Sequence, residues 1–172
     1  MSAQTSYNLR TAHGVAGGLY DLTDHDVDTR NNEATDGKIR FGLGVVEGTL
    51  PGKNVTLPVT TSTKAKFEGV AINIHAHEQD YKGDVTLRKG ETVGVLTKGR
   101  IYVRITTDAE PAYGAPLYLI TDGENAGYFT NELGEGVTGI KLNGFFLDAK
   151  ATDAIAPAFV FVDKVDETTK TE

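Results

Sequence analysis

The chain contains no cysteine and no tryptophan, and its 172 residues include one methionine and four histidines. The absence of cysteine excludes a disulfide scaffold and a thiol nucleophile. The absence of tryptophan removes the largest aromatic side chain, which makes a sugar-binding platform a poor interpretation. These absences favour a structural or binding role over catalysis.

Long apolar runs and an excess of positive charge are also missing. No apolar run approaches the ~18 residues of a membrane-spanning helix, and no charged-then-apolar leader opens the chain. We therefore expect a soluble protein that is made in the cytoplasm and has no membrane partner. The chain has 24 acidic and 17 basic residues, for a net charge of −7. Because such a surface repels phosphate backbones, the sequence predicts no nucleic-acid partner.

What the chain does contain is a series of short β-branched runs closed by glycine, of which there are 20. Alternating apolar and polar residues over such runs are typical of half-buried strands. The pattern predicts an all-β fold, a single compact β-barrel or β-sandwich of jelly-roll type with long loops. The predicted strands lie at about 39–47, 55–59, 67–75, 90–97, 99–105, 117–120, 128–130, 140–149 and 156–162.

Three further expectations concern how these strands connect. Residues 90–97 and 99–105 are predicted to form a hairpin that turns at Lys98 and Gly99. Residues 21–37 and 76–91 are predicted to be polar surface loops. Gly17-Gly18 and Gly42-Leu43-Gly44 lack the context of a phosphate-binding motif, so we expect close approaches of two chain segments, or bulges, there.

Composition divides the chain into one domain with two polar ends. We expect an extended N-terminal arm over residues 1–12, a β-domain over 13–162 and a polar C-terminal tail over 163–172.

Two histidines, His75 and His77, share one side of a predicted strand and are the best candidate metal ligands. A catalytic zinc site needs three protein ligands, and a structural one needs four. A small metal-dependent hydrolase would therefore need a third ligand from His13, His25 or Asp80. The favoured interpretation is an exposed polar pair, so the sequence predicts no metal, no cofactor and no catalytic residue.

Residues 24–28 imitate the start of a calcium loop, with carboxylates at Asp24, Asp26 and Asp28. Thr29 stands where that loop requires glycine, and Thr35 stands where it requires glutamate. We expect a solvated acidic loop here.

Five stretches follow one another in an order that resembles the cement, or decoration, proteins of tailed-phage heads. They are residues 39–46 (IRFGLGVV), 67–71 (FEGVA), 93–103 (VGVLTKGRIYV), 114–118 (GAPLY) and 127–130 (GYFT). The resemblance covers roughly residues 7–162 and rests on the order of several weak matches.

The resemblance implies a non-enzymatic protein of the virion, made in the host cytoplasm, that docks on the outside of the mature head. Its expected partners are the major capsid protein and further copies of itself, as a homodimer or homotrimer. It would bridge neighbouring capsid subunits and stabilise the shell against the pressure of packaged DNA. The alternative is another β-rich virion component, such as a tail or surface-binding module.

Candidate contact residues lie in the N-terminal arm and on one predicted strand. An extended arm can add to a partner's sheet edge, and tyrosine and arginine commonly anchor interfaces. We expect the Ile101 strand to expose Tyr102 and Arg104. The candidates are Thr5, Ser6, Tyr7, Asn8, Leu9, Arg10, Tyr20, Tyr102 and Arg104.

Overall fold

The structure is a computed structural model that describes residues 14–35, 37–73, 87–150 and 154–164. Within these residues it is almost entirely β, which confirms the predicted fold class. Two one-turn 3₁₀ helices lie at Lys64–Lys66 and Gly123–Asn125. The strands are β1 Asp26–Asn32, β2 Gly44–Glu47, β3 Asn54–Thr56, β4 Phe67–Ala71, β5 Thr92–Arg104, β6 Pro116–Ile120, β7 Phe129–Thr130, β8 Gly139–Phe146 and β9 Ile155–Phe161.

Five strands close into a barrel in the order β1-β3-β2-β4-β5, and β5 pairs back with β1. β1 and β3 are parallel, and the other neighbours are antiparallel. Closure leaves no free edge in this barrel, so its strands need no cover against pairing with another chain. The apolar residues of this unit form one buried cluster: Ile39, Phe41, Val45, Val55, Ala71, Leu87, Val93 and Val95.

The remaining strands extend the same sheet from β5 in the order β5-β9-β8-β6-β7. This part, here called the second sheet, curls so that Ile105, just after β5, forms a parallel bridge with Phe129 of β7. The curled sheet and the adjacent barrel wall enclose the larger core, which includes Phe67, Phe129 and Phe146. Burial of side chains of this size stabilises the fold by about 1.5–3 kcal/mol each.

β5 belongs to both cores, and here the predicted hairpin is wrong. Residues 92–104 form one continuous strand of 13 residues, with no turn at Lys98 and Gly99. Gly99 has φ +143°, and a Cβ there would lie 2.8 Å from the Cβ of His25. The glycine therefore permits close packing within a strand. It also lies where β5 passes from one core to the other, since Val95 lies in the barrel core and Ile101 in the larger one.

The polar segment 21–37 also differs from its prediction, because β1 occupies residues 26–32 within it. Most β1 side chains are exposed, so polar residues cost little there, and pairing with β5 and β3 holds the strand. Tertiary pairing thus overrides a low strand propensity. The strand predicted at 39–47 is shorter, since a turn in which the Leu43 amide donates to the Arg40 carbonyl (3.2 Å) precedes β2.

The two glycine motifs lie at close approaches of chain segments, as predicted. The Gly17 amide donates to the Tyr102 carbonyl at 2.8 Å, and the Tyr102 amide donates to the Gly18 carbonyl at 2.9 Å. The Gly42 amide donates to the Ala71 carbonyl at 2.8 Å. Residues 17–20 therefore line the side of β5 opposite β9. The part of the chain that the structure describes holds no helix of the length and apolarity that a membrane crossing requires.

Candidate interaction surface

The outer side of the second sheet carries a cluster of aromatic side chains, here called the aromatic face: Tyr113, Phe145, Phe159 and Phe161. Along β9, Ala158 and Val160 point inward and are fully buried. Their neighbours Phe159 and Phe161 therefore point outward, because strand residues alternate between the two sides. Phe161 remains 44% exposed.

Ring contacts connect the aromatic face. Phe145 of β8 pairs with Phe159 of β9 in the sheet register, and their ring centroids are 5.6 Å apart. Tyr113, in the segment before β6, meets Phe145 edge to face at 6.4 Å and is 78% exposed. Tilted and edge-to-face pairs add about 0.5–1.5 kcal/mol beyond area burial, so these rings hold one another in place. The result is a preformed apolar surface.

Tyr20 and Tyr102, two of the predicted contact residues, lie together beside this face. Their ring centroids are 5.6 Å apart, and Tyr20 is 40% exposed. Tyr102 was expected to be exposed, and this was wrong: it is 6% exposed and packs with Ile155 and Ala16. The segment around Gly14–Tyr20 covers it, and a Cβ at Gly14 would overlap the Tyr102 ring. Of the pair, Tyr20 is the residue whose ring is accessible at the surface.

Arg104, the third predicted contact residue of the described chain, is partly buried. Its Nε donates to the Phe41 carbonyl at 2.9 Å, which ties β5 to the segment before β2. Burial lowers the pKa of Arg104, and the nearby Arg40 lowers it further, whereas Tyr128 acts in the opposite direction. The guanidinium therefore has a structural contact within the fold as well as a position on the outer side of β5.

Two further cations of β5 form surface ion pairs with the segment before β1. The Arg100 guanidinium lies 2.7 Å from the Asp21 carboxylate, and the Lys98 ammonium lies 3.3 Å from that of Asp24. Hydrogen bonds from Thr23 hold the pKa of Asp21 below its ordinary value, and Arg100 contributes to this lowering. Exposed pairs of this kind contribute about 0–1 kcal/mol, so a partner's carboxylate can replace these partners at low cost.

The other predicted sites fall mostly outside the described residues. Thr5, Ser6, Tyr7, Asn8, Leu9 and Arg10 of the arm lie outside them, as do His13, His75, His77 and Asp80. Within the described ranges, no group of three or more metal-ligating side chains is close enough to hold an ion. His25 donates from Nδ1 to the Thr23 carbonyl at 2.9 Å. In the acidic run, Asp26 and Asp28 lie in β1, and Asp28 pairs with Arg30 at 2.7 Å.

A cavity of about 320 Å³ opens between β6, β7 and the loops that follow them. Its lining includes four carboxylates, Asp108, Asp122, Glu124 and Glu132. The described lining residues include two threonines and no histidine, serine or cysteine. We assign it no chemistry.

Sequence reasoning did not select the aromatic face. Alternation along a strand places Phe159 and Phe161 on one side and Val160 on the other, and this much could be predicted from the sequence. Which side faces solvent depends on the position of β5 and β8 relative to the core, and the sequence does not show that position. Tyr113 lies between the predicted strands 99–105 and 117–120, where no element was predicted.

Comparison with known proteins places the chain. A family model described as "Structural cement protein (E217 gp24/Pam3 gp6)" matches residues 3–163. No match was found among curated proteins. A solved structure described as "The capsid of Myoviridae Phage XM1" is similar in fold, with a TM-score of 0.68 and 17% identity over 94% of this chain and 98% of that one. A weaker likeness is to the "head fiber gp8.5 N base in bacteriophage phi29", with a TM-score of 0.41 and 9% identity over 84% of this chain and 100% of that one. On the strength of the family match over nearly its whole length, the chain belongs to the structural cement proteins of phages.

Proposed function

We propose that this protein binds the outer surface of the mature head and bridges neighbouring major capsid subunits. The family match over residues 3–163 carries this proposal. A structural capsid family is not a class of enzymes. The protein is made in the host cytoplasm and becomes part of the virion, without nucleic-acid or membrane partners.

The fold suits a protein that holds neighbouring capsid subunits together under tension. Packaged DNA pushes the shell outward, and a clip attached to two subunits opposes their separation. A standard interface buries about 1,600 Å² in total. Simultaneous attachment to several subunits raises the overall affinity without any new type of contact. The net charge of −7 keeps unassembled copies apart and away from DNA.

We assign the shell contacts to the N-terminal arm, Thr5–Arg10, and to the surface beside β5. The arm adds as an extended strand to a partner's sheet edge, where its backbone amides and carbonyls find hydrogen bonds. Tyr20 presents its ring, and the ring of Tyr102 packs against it at a tilt. Arg104 contributes charge at the same end of the strand. Copies associate with one another as a homodimer or homotrimer on the shell.

Co-sedimentation with emptied heads tests the proposal. The full chain should occupy the heads in saturable fashion, and a variant lacking residues 1–10 should bind more weakly while its circular dichroism and melting temperature stay unchanged. Failure of the full chain to sediment with heads contradicts the proposed function. Equal occupancy by both proteins contradicts only the role of the arm.

A further inference from the structure

The outer side of the second sheet differs in charge from the rest of the molecule. Its strand positions on this side include four cationic side chains and no acidic one, although the chain as a whole carries −7. Three carboxylates contact these positions from outside the strands: Asp24 at Lys98, Asp21 at Arg100 and Asp163 at Asn143. The strand positions are Lys98, Arg100, Tyr102, Arg104, Pro116, Tyr118, Ile120, Thr130, Lys141, Asn143, Phe145, Ile155, Pro157, Phe159 and Phe161.

The cations border the aromatic rings. Lys98 pairs with Phe161 across β5 and β9, and Arg100 pairs with Phe159. Lys141 lies two positions before Asn143 on β8 and is exposed, and no carboxylate among the described residues lies within ion-pair distance of it. Lys98 pairs with Asp24, which is exposed, and Arg100 pairs with Asp21, which is half-buried. The surface is therefore an apolar centre with a cationic border.

We propose that the aromatic face and its cations dock on an apolar, acidic patch of the major capsid protein. This inference rests on the proposed function and names the surface and the partner chemistry. Complementary charge speeds encounter and fixes orientation, while buried aromatic rings supply most of the affinity.

The cations of this surface argue against two other binding partners, a second copy of the chain and a polyphosphate. A second copy docked through the same surface by two-fold symmetry would bring each cation towards like charges, because a two-fold contact joins a patch to itself. A polyphosphate would meet the cations, but the acidic remainder of the chain repels it. An acidic protein surface meets neither objection.

The test compares matched variants in binding to emptied heads. Phe161→Ser and Tyr113→Ala shorten exposed rings of the face, and Leu50→Ser makes a similar change at an apolar side chain that is 55% exposed outside the second sheet. Lys141→Glu reverses a charge of the face, and Lys53→Glu does so in the turn before β3. Tyr113→Ala and Lys141→Glu change exposed residues, so the fold is retained, and melting temperatures verify this.

We expect Phe161→Ser combined with Tyr113→Ala to weaken head binding at least about tenfold, and Lys141→Glu to weaken it more at low salt than at high salt. Leu50→Ser and Lys53→Glu should bind as the wild type does. If the wild type binds heads and the face variants bind equally well, the inference is wrong and the proposed function stands. If the face variants lose only self-association, the face binds a second copy of the chain and the inference is wrong. If the wild type binds duplex DNA through Lys141, the face binds nucleic acid and the inference is again wrong. If the wild type does not bind heads, the proposed function itself fails.

Discussion

Replacement of Gly69 by alanine should destabilise the protein by about 4 kcal/mol. Gly69 lies in β4 at φ +139°, a backbone region that is almost closed to other residues and costs about 1–3 kcal/mol. A Cβ there would overlap the Leu96 carbonyl oxygen and lie 2.8 Å from the Val95 Cγ1. Overpacking of this kind costs a further ~1–3 kcal/mol. Because domains have about 5–15 kcal/mol of stability in total, this is a large share.

The assay is urea unfolding followed by circular dichroism, together with the melting temperature. In a chain of this size, 1 kcal/mol corresponds to about 2–4 °C, so Gly69→Ala should lower the melting temperature by roughly 8–16 °C. Gly52→Ala is the matched control, because Gly52 has φ +71° and nothing lies within 4 Å of the added Cβ. If Gly69→Ala loses no more stability than Gly52→Ala, the close approach of β4 and β5 does not limit the fold, and this reasoning is refuted.

Two other predictions concern charged groups. Arg30→Met should lower the free energy of unfolding by about 2 kcal/mol, because Glu68 is 3% exposed and loses its Arg30 partner. Glu68→Met should lower it less, because replacement of a buried charge by an apolar side chain is often nearly neutral. The reverse order in denaturant titrations would contradict this. Lys164, whose ammonium also pairs with Glu68, limits the loss in Arg30→Met. Hydrogen bonds from the Thr49 hydroxyl and amide hold the pKa of Glu33 below its ordinary value. A depressed folded-state pKa contributes stability above the unfolded pKa and loses it as the pH falls through the folded pKa. The stability difference between wild type and Glu33→Gln should therefore shrink below about pH 4, and a difference that stays constant down to pH 2 would count against the contact.

Most strands could be predicted from apolar alternation, since β4 lies within a predicted run and β6, β8 and β9 begin one residue before theirs. The two main errors share one cause. β1 is polar, and it is a strand because β5 and β3 pair with it across long sequence separations. The turn predicted at Lys98 and Gly99 followed a local rule, that glycine between two apolar runs marks a hairpin. In the structure Gly99 allows His25 to pack closely against β5. This contact joins residues far apart in the sequence, so no local pattern predicts it.

The candidate surface was predicted less well than the fold. Tyr20 and Tyr102 were selected as aromatic residues and do lie side by side. Their exposures were not predictable, because the segment around Ala16 covers Tyr102 through backbone pairing. Phe145 and Phe159 meet only through the register of β8 with β9. The aromatic face is built from several strands, so it can be identified only when their register is known.

The strand β5 has a mechanical consequence. Its hydrogen bonds run to β1 and β4 over its first half and to β9 over its second, with residues 17–20 along the remaining side. A pull that separates the two halves of the molecule along this strand must shear several ladders at once instead of opening one bond after another. Because β5 is one continuous strand through both halves, we expect the molecule to unfold in a single event at a high force.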